Sequence, residues 1–260
     1  VIVQRPLFLR ERPLVVSPKS CPEPRWPGNN PSLSSMRTLL LVGLLSSTLL
    51  AGTKVSVAIA PAITRDAVPS QLEAPMSKAL AEMLSWELSM LPNVKVTDPQ
   101  DAAKALGGGE RSVLGESDLT DVEAATRRLG VDAFALPYVR RDGDEVTVAA
   151  AISVKVGTHP CTFKWETRGP QDRILPMVRQ AALQMADSLH MNISASARAV
   201  LQQSTGSSWE IVTLFAKGID AEDAGRKTDA LALYREAQSR GAMLPALMVR
   251  MRKLEATVGR

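Results

Sequence analysis

Two hydrophobic spacings alternate through the middle of the chain, and only one of them continues to its end. Between Lys54 and Met191, short period-two stretches alternate with longer stretches of helical period, and beyond Thr205 the helical spacing is alone. Val55, Val57 and Ile59 alternate within Lys54–Ala60 and predict a first strand. A helix follows from about Pro75 to Leu91, with Met76, Ala79, Leu80, Met83, Leu84, Leu88 and Leu91 on one stripe. Pro75 suits its first turn, and Pro92-Asn93 ends it. Val94–Val96 reads as a short second strand, and Asp98 can cap a brief helix over Ala102–Leu106.

The segment Thr120–Val156 is the most legible. Thr120-Asp121-Val122-Glu123 fits a capping box, with Leu119 and Ala124 placed for a hydrophobic staple. Val122, Ala125 and Leu129 share a face, and Gly130 follows where a left-handed residue would end the helix. The strand Ala133–Val139 carries Phe134, Leu136 and Tyr138 on one side and Ala133, Ala135 and Val139 on the other, so both faces should be covered. Pro137 cannot donate to a ladder and predicts a bulge or an unpaired side. Asp142-Gly143 signals a hairpin. The next strand places Val146, Val148, Ala150, Ile152, Val154 and Val156 on one face, and Thr147, Ala149, Ala151, Ser153 and Lys155 on the other, which predicts a half-buried antiparallel strand. A fifth strand, Cys161–Thr167, is broken by Gly169-Pro170. A helix then carries Ile174, Val178, Ala181, Ala182, Met185 and Leu189 on one face. The expected fold class over 54–192 is α/β, a mixed five-stranded sheet with helices packed on it.

Residues 205–260 read as a short all-α tail. Gly218, Gly225, Ala230, Tyr234 and Ala237 match the spacing of a tetratricopeptide repeat, although Leu214, Lys217 and Ala221 stand at its usual tryptophan, leucine and tyrosine positions, and Pro245 is displaced. The small residues allow two antiparallel helices to approach closely, with Tyr234 between them. A third helix, Leu244–Val258, carries Leu247, Met251, Leu254 and Val258 as a cap would. A single repeat cannot bury its own face, so the unit should dock on the α/β part or on a partner.

Composition changes the picture mainly at the front. Residues 1–35 hold seven prolines and no periodic apolar face, and are expected to be an upstream segment that is either mis-assigned or disordered. Met36-Arg37-Thr38 opens the apolar run Leu39–Ala51, a signal-peptide pattern over 36–53 that is too short for a spanning helix. Thr53 stands where a lipoprotein box would need its cysteine, so no lipid attachment is expected there; cleavage and retention as an uncleaved anchor both stay open. Six of the 31 basic and two of the 27 acidic residues lie in 1–53, which leaves 25 of each beyond it. With that balance no global positive field argues for nucleic acid. Cys161 is the one cysteine beyond Cys21, and its alternation with Phe163 and Trp165 favours a buried thiol.

Candidate chemistry is thin. His159 and His190 lack companions at metal-ligand spacing, and Gly107-Gly108-Gly109 lacks the Lys and Ser/Thr of a phosphate loop. Asp142 and Asp144 sit on a hairpin tip and read as a solvated turn. Asp220, Glu222 and Asp223 read as a solvated acidic face, with a cation or a basic partner as the alternative. No catalytic, cofactor-binding or metal-binding residues are assigned, and no cofactor. Trp209, Phe215, Tyr234, Arg250 and Lys253 are the candidate partner-binding residues. Core packing competes at the aromatic positions, and a solvated face at Arg250 and Lys253.

The order of Val55-Ser56-Val57-Ala58-Ile59-Ala60-Pro61, the helix ending in Leu91, Leu129-Gly130-Val131-Asp132, the Arg141-Asp142-Gly143-Asp144 turn and Phe163-Lys164-Trp165 resembles the TolB amino-terminal-like domain group. That group includes FlgO-type and CsgG-type envelope proteins, in which a trailing tetratricopeptide-like segment is familiar. The resemblance implies a non-enzymatic exported protein in the periplasm or at the outer-membrane periphery, acting in protein–protein interaction or scaffolding. Its partners would be envelope proteins, with peripheral membrane association and homo-oligomerisation left open. The alternative is an oligomeric outer-membrane secretion or transport component of CsgG type. The sequence departs from TolB itself in lacking a β-propeller, and from CsgG-type pores in lacking an evident membrane-inserting hairpin.

Overall fold

The computed structural model describes residues 54–62, 73–107, 116–156, 159–189, 191, 193–202 and 207–258. Along them run β1 (Val55–Ile59), α1 (Glu73–Ser89), β2 (Val94–Val96), α2 (Pro99–Ala105), α3 (Glu116–Leu129), β3 (Ala133–Asp142), β4 (Glu145–Val156), β5 (His159–Pro170), α4 (Ile174–Ser188), α5 (Ala195–Gln202), α6 (Trp209–Asp223), α7 (Lys227–Ser239) and α8 (Pro245–Val258). The five strands form one sheet in the order β2-β1-β3-β4-β5. β1 pairs in parallel with β2 and β3, while β3-β4-β5 is an antiparallel meander. This is the expected mixed five-stranded α/β arrangement followed by an all-α tail.

Alternation along the strands divides the core. Val57, Ile59, Ala133, Ala135, Val139 and the even-numbered residues Val146–Val154 face one apolar cluster, which also holds residues of α1, α4 and the tail. Ala58, Ala60, Phe134, Leu136, Tyr138 and Ala149 face a second cluster, completed by Ala102, Ala105 and Leu106 around α2 and by Val122 and Ala125 of α3. β3 is therefore covered on both sides, as its sequence implied. β4 is not half-buried: Thr147, Ala149 and Ser153, on its more polar face, are also buried. Small and hydroxyl side chains fit beneath a helical layer on that face, which alternation by itself does not reveal.

Backbone hydrogen bonding explains the three strand prolines. The Pro137 carbonyl accepts from the Ala62 amide at 3.3 Å, so its nitrogen also faces the β1 side, beyond the end of β1. The unpaired side, not a bulge, accommodates it, and the register with β4 is unbroken through Pro137 opposite Ala150. In β4 the Lys155 amide donates to Asp132 on the β3 side, so the odd residues of β4 face β3 and the even ones face β5. Continuous pairing from Val156↔His159 to Glu145↔Pro170 then turns the odd residues of β5 toward β4 and the even ones outward. Pro160 and Pro170 are even, and no ladder bond to β4 is lost at either. The strand consequently runs through Gly169 and ends at Pro170, rather than breaking before them.

Two local expectations need adjustment. α3 begins at Glu116, so Thr120 lies inside the helix and is not its N-cap; its side chain is outside the described residues. α5 was not anticipated. Elsewhere the local signals hold. Asp98 caps α2 by accepting from the Gln100 amide. Gly130 and Gly143 adopt φ of 64° and 61°, ending α3 and making the β3–β4 turn. Asp132 joins the starts of β1 and β3, its Oδ2 accepting from the Ser56 amide at 2.8 Å and from Ser56 Oγ at 2.7 Å.

Candidate interaction surface

The tail docks on the α/β part of its own chain. α6 and α8 both pack against α1, and one apolar cluster runs without a break from the sheet through α1 into α6, α7 and α8. α1 is thus buried on more than its predicted stripe. Ser77, Ala81 and Ser85 form a second buried row at four-residue spacing. Their small size permits close helix approach. That spacing was the available signal, masked by two serines in a position that reads as polar.

α6 and α7 form the antiparallel pair that the repeat spacing implied. Tyr234 of α7 is fully buried and lies across Gly218 of α6, where an added Cβ would stand 2.2 Å from the ring. Phe215 packs beside it, ring centroids 5.9 Å apart. The Ser208 hydroxyl caps α6 by accepting from the Ile211 amide.

Charged residues close the joint. Arg250 of α8 donates through Nη1 to Glu222 of α6 at 2.7 Å and through Nη2 to Glu82 of α1. The Tyr234 hydroxyl donates to the same Glu222 oxygen at 3.0 Å. Lys78 of α1 pairs with Asp223 at 2.9 Å and with Asp220 at 3.3 Å. Burial opposes the charge on Arg250, yet its bonds and attraction to Glu82 and Glu222 outweigh that and hold the guanidinium above its usual range. Burial likewise opposes charge on Lys78, and Asp223 and Asp220 raise its pKa nonetheless. Burial, reinforced by the Glu222 charge, pushes the Tyr234 hydroxyl well up. A separate pair, Arg179 with Glu87 at 3.2 Å, ties α4 to α1; burial raises Glu87 despite the attraction of Arg179.

This arrangement corrects several surface assignments. Phe215 and Tyr234 are each 0% exposed and are core, not partner-facing. Arg250 is not a solvated position, since its side chain is 12% exposed and bridges two helices. The acidic residues Asp220, Glu222 and Asp223 do have basic partners, Lys78 for the two aspartates and Arg250 for Glu222, within the same chain. Trp209 is half-buried, with the Arg141 guanidinium from the β3–β4 hairpin 5.7 Å above its ring, so it links the tail to the hairpin. Lys253 alone of the five candidates is exposed. It shares the outer face of α8 with Val249 and Arg252. Val249 is 47% exposed, and Met243, just ahead of the helix, is 76% exposed.

Asp142 is exposed and pairs with Arg168 at 3.2 Å, as a solvated turn would. Among the described residues no cluster of His, Cys, Asp and Glu is arranged to hold a metal ion, and no helix is long and apolar enough to cross a membrane. Residues 1–53, His190, Gly108-Gly109 and the side chains of Cys161 and His159 lie outside the described residues. A scan against protein-family models finds no match, and neither does a search of curated proteins or of solved structures.

Proposed function

We propose that this chain is an exported, non-enzymatic protein of the bacterial cell envelope, acting at the periplasm or the outer-membrane periphery by binding other proteins. The interaction role is carried by one observation: the outer face of α8 presents Val249, Arg252 and Lys253 to solvent on a helix whose opposite side is locked into the core. An apolar position flanked by two cations on a rigid terminal helix suits a partner surface that is apolar with an acidic rim. The order of elements from β1 to α4 supports membership of the TolB amino-terminal-like group, and the apolar run after Met36 supports export.

Two measurements test the reading separately. Fractionation of cells expressing the full chain should recover it outside the cytoplasm, and replacing Leu40 and Leu41 by Asp should retain it inside. Recovery of the unmodified chain in the cytoplasm would end the export claim. Val249→Asp with Lys253→Glu should leave the thermal midpoint within a few degrees and remove the proteins cross-linked to the chain in the envelope. Unchanged cross-linking would show that α8 is not the binding face.

A further inference from the structure

One end of the sheet, where β1 and β3 begin and β4 ends, is rich in cations. Ser56 is in register with Lys95 of β2, and the Lys155 amide donates to the Asp132 carbonyl. Lys95, Ser56, Asp132 and Lys155 thus form one row across β2, β1, β3 and β4. The row is three strand spacings long, about 14 Å. Lys54 stands immediately ahead of β1, two positions before Ser56. All three lysines are exposed, and among the described residues their ammonium groups have no hydrogen bond or ion pair. Asp132, the acid of the row, gives its Oδ2 to the Ser56 amide and hydroxyl. The cations in the last turns of α2 and α3 are engaged: Lys104 pairs with Asp101, Arg127 with Glu123, and Arg128 donates to the Ala105 carbonyl. The loop from α1 to β2 lies at the same end, because the Val55 amide donates to the Asn93 carbonyl. It holds Met90, which is 58% exposed.

Only Gly52 and Thr53 stand between Lys54 and the apolar run Leu39–Ala51. Three residues of chain reach at most about 11 Å. That is close to the Debye length, about 8–10 Å in physiological salt. A bilayer that takes up the run is therefore held within electrostatic range of these lysines. We propose that this end of the sheet binds a bilayer surface carrying anionic phospholipid headgroups. Lys54, Lys95 and Lys155 meet the headgroups, and Met90 enters the interface beside them. A row of such length suits an extended anionic surface better than one small anion. Unpaired cations next to an exposed apolar side chain are what a peripheral contact with anionic lipid uses. The proposal rests on the reading that the run after Met36 enters a bilayer, and the α8 face has no part in it.

Partitioning of the purified full chain onto vesicles tests this, with phosphatidylcholine alone compared with equal parts phosphatidylcholine and phosphatidylglycerol. The apolar run contributes to both, so the ratio of the two partition coefficients isolates the charge. The unmodified chain should favour the anionic vesicles, and the preference should shrink as salt is raised. Lys95→Gln with Lys155→Gln should lower the ratio about thirtyfold. Lys95→Arg with Lys155→Arg keeps both charges and should keep the ratio. Lys217→Gln with Lys227→Gln removes two exposed cations of the tail and should leave the ratio unchanged. If the strand variant fails to fold, Lys54→Gln, which lies outside any strand, decides instead by lowering the ratio about fivefold. A ratio near one for the unmodified chain, which is the outcome if a protein and not lipid covers this end, overturns the proposal. An equal loss in the tail variant, or no loss at Lys54, also overturns it. The ratio does not depend on where cells place the chain, so it fails separately from the export claim.

Discussion

At the scale of single residues, the tail is organised by one small side chain and one large one. Gly218 is helical, and its value lies in the missing Cβ, because the Tyr234 ring occupies that space. Gly218→Ala should therefore destabilise the protein by about 2–3 kcal/mol, beyond the small gain in helix propensity that alanine brings. Thermal or urea unfolding would measure this. Combining it with Tyr234→Leu should recover part of the loss, so that the double variant is more stable than the sum of the two single effects predicts. Strict additivity would mean that the ring and the glycine are not coupled. The repeat spacing made both residues legible in advance. It did not make Arg250 legible, because a cation in a pattern of exposed charges gives no sign of being inside. Only the arrival of Glu82 and Glu222 from other helices, separated from it by 168 and 28 positions, makes burial of that guanidinium tolerable.

At the scale of elements, α1 carries the largest difference between reading and structure. Six of the seven apolar residues of its predicted stripe lie within it and Leu91 just beyond its end, and all seven are buried. The second buried row, Ser77, Ala81 and Ser85, was not plain from the spacing, since amphipathicity scores side chains by polarity and not by the room a neighbouring helix needs. With α6 and α8 seated on α1, the tail is part of that helix's environment. A chain lacking 205–260 should expose α1, leave Lys78 and Glu82 without Asp220, Asp223 and Arg250, and lose cooperative unfolding. Several buried apolar side chains at roughly 1.5–3 kcal/mol each exceed the net stability of a typical domain. A sharp two-state transition in the truncated protein would contradict this.

At the scale of the whole molecule, the joint between the α/β layer and the tail is ionic as well as apolar, and its pH dependence has a definite sign. The folded-state pKa values of Lys78 and Tyr234 are both raised, so the stability they contribute is complete below the unfolded values near pH 10 and is lost as pH rises above them. The thermal midpoint should fall as pH rises beyond about 10. Tyr234→Phe should cost about 1 kcal/mol at neutral pH, through loss of the hydrogen bond to Glu222. Its deficit should shrink over the alkaline range, because phenylalanine has no proton to lose there. A deficit constant with pH would show that the hydroxyl does not titrate with folding. What the sequence determined by itself was local: strand and helix periods, the Asp98 cap, the glycines at positive φ and the turn at Gly143. These depend on interactions within a few residues, so they can be read from short windows. What only the tertiary structure decided was which charges are inside, which small residues permit close packing, which way the strand prolines face, and that the tail rests on its own chain. Each of these depends on groups brought together from distant positions, and residue type alone does not report the company a side chain keeps.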